Sequence, residues 1–148
     1  MLKDNIQIKQ VSIEEAFSFS LLIPEFKVSY PLSEYNKRLS GVRSLLLGAY
    51  IDNQAAGFKI GYEREDYFYS WMGGVVPQYR KMGVASQLAM HQEAWAHEQG
   101  FEAVVFKTRN HLTQMLLFAL SNGFQIIDIQ KKEQIADYRI LLQKHLDR

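Results

Sequence analysis

Two cations and a glycine stand ahead of a helical pattern near the middle of the chain. They are Arg80, Lys81 and Gly83, and apolar residues at helical spacing follow from Val84 to Gln99. The first N–H groups of a helix have no partner within it, and the helix dipole favours negative charge there. Gly83 would let a ligand approach the backbone, and the small Ala85 would leave the next turn clear. These residues predict a phosphate-binding turn.

The segment before this turn is suited to a close approach between backbone and ligand. Tyr67 to Trp71 is rich in aromatic residues and predicts a strand, and Gly73 and Gly74 then remove two side chains in succession. Pro77 ends the strand. We therefore expect an exposed stretch of backbone to lead directly into the phosphate-binding turn.

The six residues Arg80 to Ala85, RKMGVA, resemble motif A of the GNAT superfamily of acyl-CoA-dependent N-acyltransferases. That motif is Arg or Gln, two residues, Gly, one residue, and then Gly or Ala. The sequence SNGF at Ser121 to Phe124 resembles the end of the family's motif B. The likeness spans nearly the whole chain and is strongest from Gly57 to Phe124.

The resemblance implies one domain over residues 1–148, of the mixed α/β class. Its expected core is a mostly antiparallel sheet of six or seven strands, with helices on both faces and a splayed pair of parallel strands. The closing strand is predicted at Tyr138 to Leu142, with an edge available for pairing in a homodimer. Ser12 with Glu15 predicts a capping box, and Ser33 is predicted to cap a second helix.

Acetyl-CoA is the co-substrate that the resemblance implies, and no metal is expected. The residues that match the family's pyrophosphate loop are Arg80, Lys81, Met82, Gly83, Val84, Ala85 and Ser86. Gly73, Gly74 and Val75 match the strand that pairs with the pantetheine arm. Asn110 resembles the motif B asparagine that bonds this arm, although a turn or helix-capping role explains it equally well.

The catalytic residues are less clearly marked than the cofactor loop. Many family members carry a tyrosine four residues before the motif B glycine, and Ala119 stands there in this chain. Tyr69, in the middle of a strand, is a candidate base, with Glu63 linked through water as a substitute. Tyr69 would equally suit the core or a pocket wall. Strand alternation places Tyr67, Tyr69 and Trp71 on one face and Phe68, Ser70 and Met72 on the other.

The acceptor is predicted to be a small-molecule amine or a peptide amine. By the resemblance, the first two helices and their connection form a wall of its site, so Phe26, Tyr30 and Tyr35 are candidate substrate contacts. They would also serve as core aromatics that anchor a loop. Glu63 with the acidic pair Glu65 and Asp66 would attract a cationic amine or form a solvated turn.

The composition excludes several other functions. The 148 residues carry a formal net charge of +1, so nothing predicts binding to nucleic acid or to an acidic membrane surface. There is no cysteine, which excludes thiol catalysis and disulfides. The four histidines show no metal-ligand spacing. No signal-peptide pattern or membrane span is apparent, and a cytoplasmic protein is expected.

Three hypotheses remain open from the sequence. The first is an acetyl-CoA-dependent N-acetyltransferase in which the amine attacks the thioester directly in a ternary complex. The second is a non-enzymatic acyl-CoA-binding or regulatory domain on the same fold, which stays open because Ala119 stands in place of the usual tyrosine. The third is a domain that binds another phosphorylated ligand at the start of the helix.

Overall fold

The computed structural model describes residues 5–26 and 30–147. The strands are β1 (Ile6–Gln10), β2 (Ser44–Ile51), β3 (Gln54–Arg64), β4 (Tyr67–Val75), β5 (Ala103–Arg109), β6 (Gln125–Gln130) and β7 (Arg139–His145). The helices are α1 (Ile13–Ser20), α2 (Leu32–Leu39), α3 (Val84–Glu98) and α4 (Thr113–Ser121). In these two ranges, none of the helices is both long enough and apolar enough to cross a membrane.

One sheet contains all seven strands, in the order β1-β2-β3-β4-β5-β7-β6. Every neighbouring pair is antiparallel except β4 and β5, which are parallel. This confirms the predicted mixed, mostly antiparallel sheet. The predicted free edge at Tyr138 to Leu142 is wrong, because β7 returns between β5 and β6 and is bonded on both sides. The edges of the sheet are β1 and β6.

The helices cover the two faces of the sheet in pairs. Helices α1 and α2 enclose a core of buried residues on one face: Ala16, Phe19, Ile23, Tyr35, Leu39, Phe58, Ile60, Tyr62, Tyr69, Met72 and Val76. Helix α3 covers the opposite face through Val84, Leu88 and Ala96. Helix α4 lies on that second face too, where Ala119 packs on Ile140 and Leu142. We call these two sides the α1–α2 face and the α3–α4 face.

The ends of the helices follow local sequence signals in most cases. The capping box at α1 is confirmed, since Ser12 Oγ accepts from Glu15 N at 3.1 Å and Glu15 Oε1 accepts from Ser12 N at 2.9 Å. The prediction that Ser33 caps the second helix is wrong. That helix begins one residue earlier, at Leu32, and Pro31 occupies its N-cap without a side-chain bond.

The parallel strands β4 and β5 stay together over a short distance only. Phe68 pairs with Val104 and Tyr69 with Val105, and no further pair follows although both strands continue. Beyond this point β5 is bonded to β7, and β4 is bonded to β3. Among the described residues, the side of β4 that faces β5 is therefore without a strand partner up to Val75, and the predicted splayed pair is confirmed.

A β-bulge lies in β4 two residues after its last pair with β5. Gly61 is opposite Ser70 and Ile60 is opposite Met72, so Trp71 is an additional residue in β4. The bulge reverses the alternation of side chains from Met72 onward. The predicted placement of Met72 on the face of Phe68 is therefore wrong, since Met72 packs in the same core as Tyr69.

Candidate active site

The turn between β4 and α3 presents unpaired backbone donors. A short 3-10 helix at Pro77–Tyr79 leads into Lys81, with φ of 66°, and Gly83, with φ of 90°. The first helical bond of α3 runs from Gln87 N to Gly83 O at 3.1 Å. Among the described residues, the N–H groups of residues 81–86 meet no backbone acceptor. A row of such donors at a helix start is a site for a phosphate group.

The Arg80 side chain fastens this turn to its neighbours. Its Nε donates to Val75 O at 3.0 Å, and its Nη2 donates to Glu25 Oε1 at 2.9 Å. The hydrogen bond from Arg80 holds the pKa of Glu25 below its ordinary value. Arg80 therefore joins the turn to the end of β4 and to the segment that precedes α2.

The two glycines of β4 are explained by crowding on both faces. A Cβ at Gly74 would lie 2.9 Å from Ile23 Cδ1 and 3.1 Å from Phe26 Cε2. A Cβ at Gly73 would lie 3.3 Å from Lys59 Cγ. Their backbone, with that of Val75, is paired to β3 on one side, and no strand of the described part of the chain pairs with the other side. An extended ligand could pair with this free side as an added strand would.

Tyr69 and Glu63, the two catalytic candidates, are on opposite faces of the sheet. Tyr69 is buried among the aromatics of the α1–α2 face. Burial raises its pKa above the ordinary 10.0, and the proximity of Tyr62 adds to this. Deprotonated Tyr69 is therefore scarce at neutral pH.

Glu63 is engaged elsewhere, by a residue that the sequence did not connect with it. Both of its carboxylate oxygens accept from Arg43 at 3.2 Å, and Arg43 also lies over the Phe101 ring, which packs in the α3 core. The hydrogen bonds from Arg43 lower the pKa of Glu63. The structure does not bring Glu63 and Tyr69 together, and a low pKa makes Glu63 a weak base.

The motif B positions are at the loop between β5 and α4 and within α4 itself. Asn110 Nδ2 donates to Ile135 O at 3.2 Å, and Asn110 N donates to Tyr138 O at 2.9 Å. Asn110 makes no cap of α4, whose N-cap is Leu112. Ala119, at the position of the motif B tyrosine, is buried against the sheet and packs in the core.

The three aromatic candidates for acceptor contact differ in accessibility. Tyr35 is fully buried, and its ring meets that of Trp71 edge to face at 5.2 Å. Phe26 packs on Phe58. Tyr30 is 41% exposed and its ring lies 5.1 Å from that of Trp71. Tyr30 is therefore the member of the three that a molecule on the α1–α2 face can reach most readily.

Sequence reasoning missed a group of cations around these aromatics. Arg38 lies over the rings of Trp71, at 4.6 Å, and Tyr30, at 5.0 Å. Arg64 and Lys107 approach the Tyr69 ring, at 5.0 and 5.9 Å. The signal in the sequence was Lys107 itself, a charged residue in the otherwise apolar start of strand AVVFKTR.

Across residues 5–26 and 30–147, no three His, Asp or Glu side chains are grouped so as to hold a metal ion.

The family follows from a sequence comparison. The model of the acetyltransferase (GNAT) family matches residues 12–124. The matched region includes the turn, the splayed strands and α4. The chain therefore belongs to the GNAT family of acetyltransferases. A search of curated proteins by sequence found no significant match.

Solved structures share this fold over almost the full chain. The ribosomal-protein-S18-alanine N-acetyltransferase from Escherichia coli has a TM-score of 0.82 at 15% identity, covering 97% of this chain and 95% of that chain. A GNAT family acetyltransferase from Elizabethkingia anophelis with acetyl-CoA bound has a TM-score of 0.77 at 21% identity, covering 97% and 99%. The PaiA N-acetyltransferase from Thermoplasma acidophilum, in complex with coenzyme A, has a TM-score of 0.73 at 16% identity, covering 95% and 98%.

Proposed function

We propose that the protein is an N-acetyltransferase that transfers the acetyl group of acetyl-CoA to a primary amine by direct attack. The observation that carries this proposal is the continuity between two features. The free side of β4 runs from the point of divergence at Tyr69 to Val75, and the unpaired N–H groups of residues 81–86 follow a few residues later. Together they fit a ligand with an amide-bearing arm and a diphosphate.

The residues of the turn would hold the diphosphate mainly through backbone groups. The N–H donors of residues 81–86 and the start of the α3 dipole favour an anion. Lys81 is exposed and makes no ion pair within the described residues, so its charge is available. The Arg80 guanidinium stabilises the turn and would add a second positive charge beside it.

The N–H groups of β4 between Trp71 and Val75 suit two tasks. Those on the free side would pair with the amides of the pantetheine arm. One of them would also polarise the thioester carbonyl, a role that needs a fixed backbone donor and no side chain. Acetyl-CoA supplies the activated acyl group for this reaction.

The acceptor would enter from the α1–α2 face, where Tyr30 packs on the bulge residue Trp71 and Tyr69 lies two residues before it. Direct attack fits this chain because it has no cysteine to carry an acyl intermediate. The amine must lose a proton, and Tyr69 is poorly suited to accept it at neutral pH because burial raises its pKa. We propose that Tyr69 positions the amine and that water removes the proton.

The test is amine-dependent release of coenzyme A, followed with a thiol reagent. Because the chain has no cysteine, the reagent reports released coenzyme A without a background from the protein. We expect release to accelerate with an amine from a panel of amino acids, peptides and polyamines. An acetylated amine of the expected mass should appear in equal amount. Acetyl-CoA that binds without turnover for any amine would contradict the proposal.

A non-enzymatic acyl-CoA-binding domain is the second candidate. The observation that favours it is that α4 contains no tyrosine, with Ala119 at the motif B position, so this helix offers no phenol to protonate a departing thiolate. This candidate predicts tight binding of acetyl-CoA and no acceptor-dependent turnover.

A further inference from the structure

The α1–α2 face beside the divergence of β4 and β5 carries a concentration of positive charge. Its five members, which we call the basic cluster, are Arg38, Arg64, Lys107, Lys132 and Arg139. They come from α2, β3, β5, the segment before β7, and β7. Residues from five separate parts of the chain therefore converge on one surface.

Strand register places the β5 and β7 members on this face. Lys107 is opposite Leu141, and Arg109 is opposite Arg139, so these four residues share one side of the sheet. The other side holds Ile140 and Leu142, which pack on α4. Tyr69 is in register with Val105, two residues before Lys107. Lys107 is thus beside the opening that begins at Tyr69.

The positive charge of the cluster is poorly balanced by the protein. Arg38 pairs with Glu34, its Nε lying 2.8 Å from Glu34 Oε2. The other four members make no ion pair among the described residues. Besides Glu63, the acidic groups nearest in sequence to these four are the exposed residues Glu65, Asp66 and Glu133 and the partly exposed Asp137, none of which forms an ion pair with a member of the cluster among the described residues. Glu63 is bound to Arg43.

The environment of Lys107 shows that its neighbours repel it. Burial lowers the pKa of Lys107, and the charges of Arg64, Arg139, Arg38 and Lys132 lower it further. Like charges gathered on a partly buried surface cost stability unless an anion joins them. Such a cost is common where a protein binds a negatively charged ligand.

A second observation on the same face points to a ligand. Trp71 Nε1 is buried and has no hydrogen-bond partner in the described chain. The Trp71 ring is enclosed by Arg38, Tyr30, Tyr35 and Tyr62. A buried donor without a partner is costly, and an acceptor atom of a ligand would remove that cost.

We infer that the acceptor amine also carries a negatively charged group, in the simplest case a carboxylate, which the basic cluster would bind. This inference rests on the proposed function and specifies its substrate class. The amine would be at the opening between β4 and β5, and the anionic group would face Arg64, Lys107 and Arg139. An acceptor that carries only positive charge, such as the cationic amine that the acidic turn after β3 suggested, fits this surface poorly.

The experiment compares matched amines that differ in one charge. Each amino acid is assayed against its amide, and O-phosphoethanolamine against ethanolamine. The amide has the more weakly basic amine and is the better nucleophile near neutrality, so chemistry alone favours it. We expect the acid to exceed the amide at least about tenfold in kcat/KM, which corresponds to one ionic contact. A preference for O-phosphoethanolamine over ethanolamine would indicate a site for anions in general, whereas a preference seen only with the amino acids would indicate a carboxylate site.

Two variants tie this preference to the cluster. Lys107→Gln should reduce the ratio of kcat/KM for the acid to kcat/KM for the amide, because KM for the acid rises. Lys107→Arg keeps the positive charge and should keep the wild-type ratio. Lys37→Gln, an exposed position on α2 beside Arg38, is the matched control and should leave the ratio unchanged. The KM for acetyl-CoA should stay constant in all three.

A binding measurement separates this inference from the proposed function. N-acetyl amino acids and their amides are titrated calorimetrically in the presence of coenzyme A. Tighter binding of the acids, lost in Lys107→Gln, would support the anion site even if no amine is turned over. Equal binding and equal turnover of acids and amides, or an unchanged ratio in Lys107→Gln, would overturn the inference.

Discussion

Tyr69 and Val105 form the last register pair between β4 and β5, and the two strands diverge immediately after it. The bulge at Trp71 comes two residues later and turns the backbone of β4. The opening is therefore fixed by backbone geometry within a continuous sheet. A rigid opening of this kind can hold a ligand without a large rearrangement.

The first prediction concerns Gly83, whose φ of 90° is in the left-handed region. Gly83→Ala should cost about 1–2 kcal/mol of folding free energy, because Cβ is disfavoured there. It should also weaken acetyl-CoA binding, since the turn must relax. Gly100→Ala, at a φ of 92° at the far end of α3, carries the same backbone cost. Calorimetry should show a loss of affinity in Gly83→Ala alone; an equal loss in both would contradict a role of the turn.

The second prediction concerns the ion pair of Arg80 and Glu25. Glu25→Gln removes a carboxylate 2.9 Å from the guanidinium and should leave coenzyme A binding equal or tighter at low salt, whereas Arg80→Ala should weaken it. Because the pKa of Glu25 is lowered in the folded protein, its stabilising effect is present above pH 4.5 and is lost as the pH falls through the lowered pKa. The Tm difference between wild type and Glu25→Gln, scanned against pH, should follow that course. A Tm difference between wild type and Glu25→Gln that grows as the pH falls would contradict the prediction.

The third prediction concerns Tyr69. Its raised pKa keeps the phenol neutral below pH 10, so it contributes no ionisation to the activity profile between pH 6 and 9. Tyr69→Phe should lower kcat/KM while leaving the shape of that profile unchanged. The loss of an inflection in Tyr69→Phe would identify the phenol as the base and refute this account of its role.

The fourth prediction concerns the indole N–H of Trp71. Trp71→Phe keeps an aromatic ring but removes a buried donor that has no partner, so stability should change little. The KM for the acceptor should rise several-fold, and the KM for acetyl-CoA should stay constant. Trp95→Phe, on α3, is the matched control for loss of an indole. A large fall in Tm without a change in acceptor KM would indicate a purely structural Trp71.

The sequence was sufficient to predict most helices and strands and the turn that follows β4. Periodicity and caps located α1, α3 and the strands, because each of these signals is local in the chain. The bulge at Trp71 was not predictable, since one additional residue in β4 is defined only by its partners in β3. The position of β7 inside the sheet depends on pairing with β5 and could not be predicted from its own residues.

The basic cluster was beyond sequence reasoning for the same reason. Its members are spread from Arg38 to Arg139. The register of β5 and β7 brings Lys107 and Arg139 to one face, and packing on Trp71 and Tyr69 brings Arg38 and Arg64 there. Glu63 is near Tyr69 in sequence, yet the register of β3 and β4 places it opposite Phe68, on the other face of the sheet, where it pairs with Arg43.

The most direct test of the central claim is an amide NMR titration with coenzyme A. We expect the largest chemical-shift changes at the N–H groups of residues 81–86 and of Gly73 to Val75, with small changes at β1 and β6. Gly83→Ala should reduce the shifts of both groups together. Saturable binding that leaves both groups unshifted would contradict the claim that β4 and the start of α3 hold the cofactor.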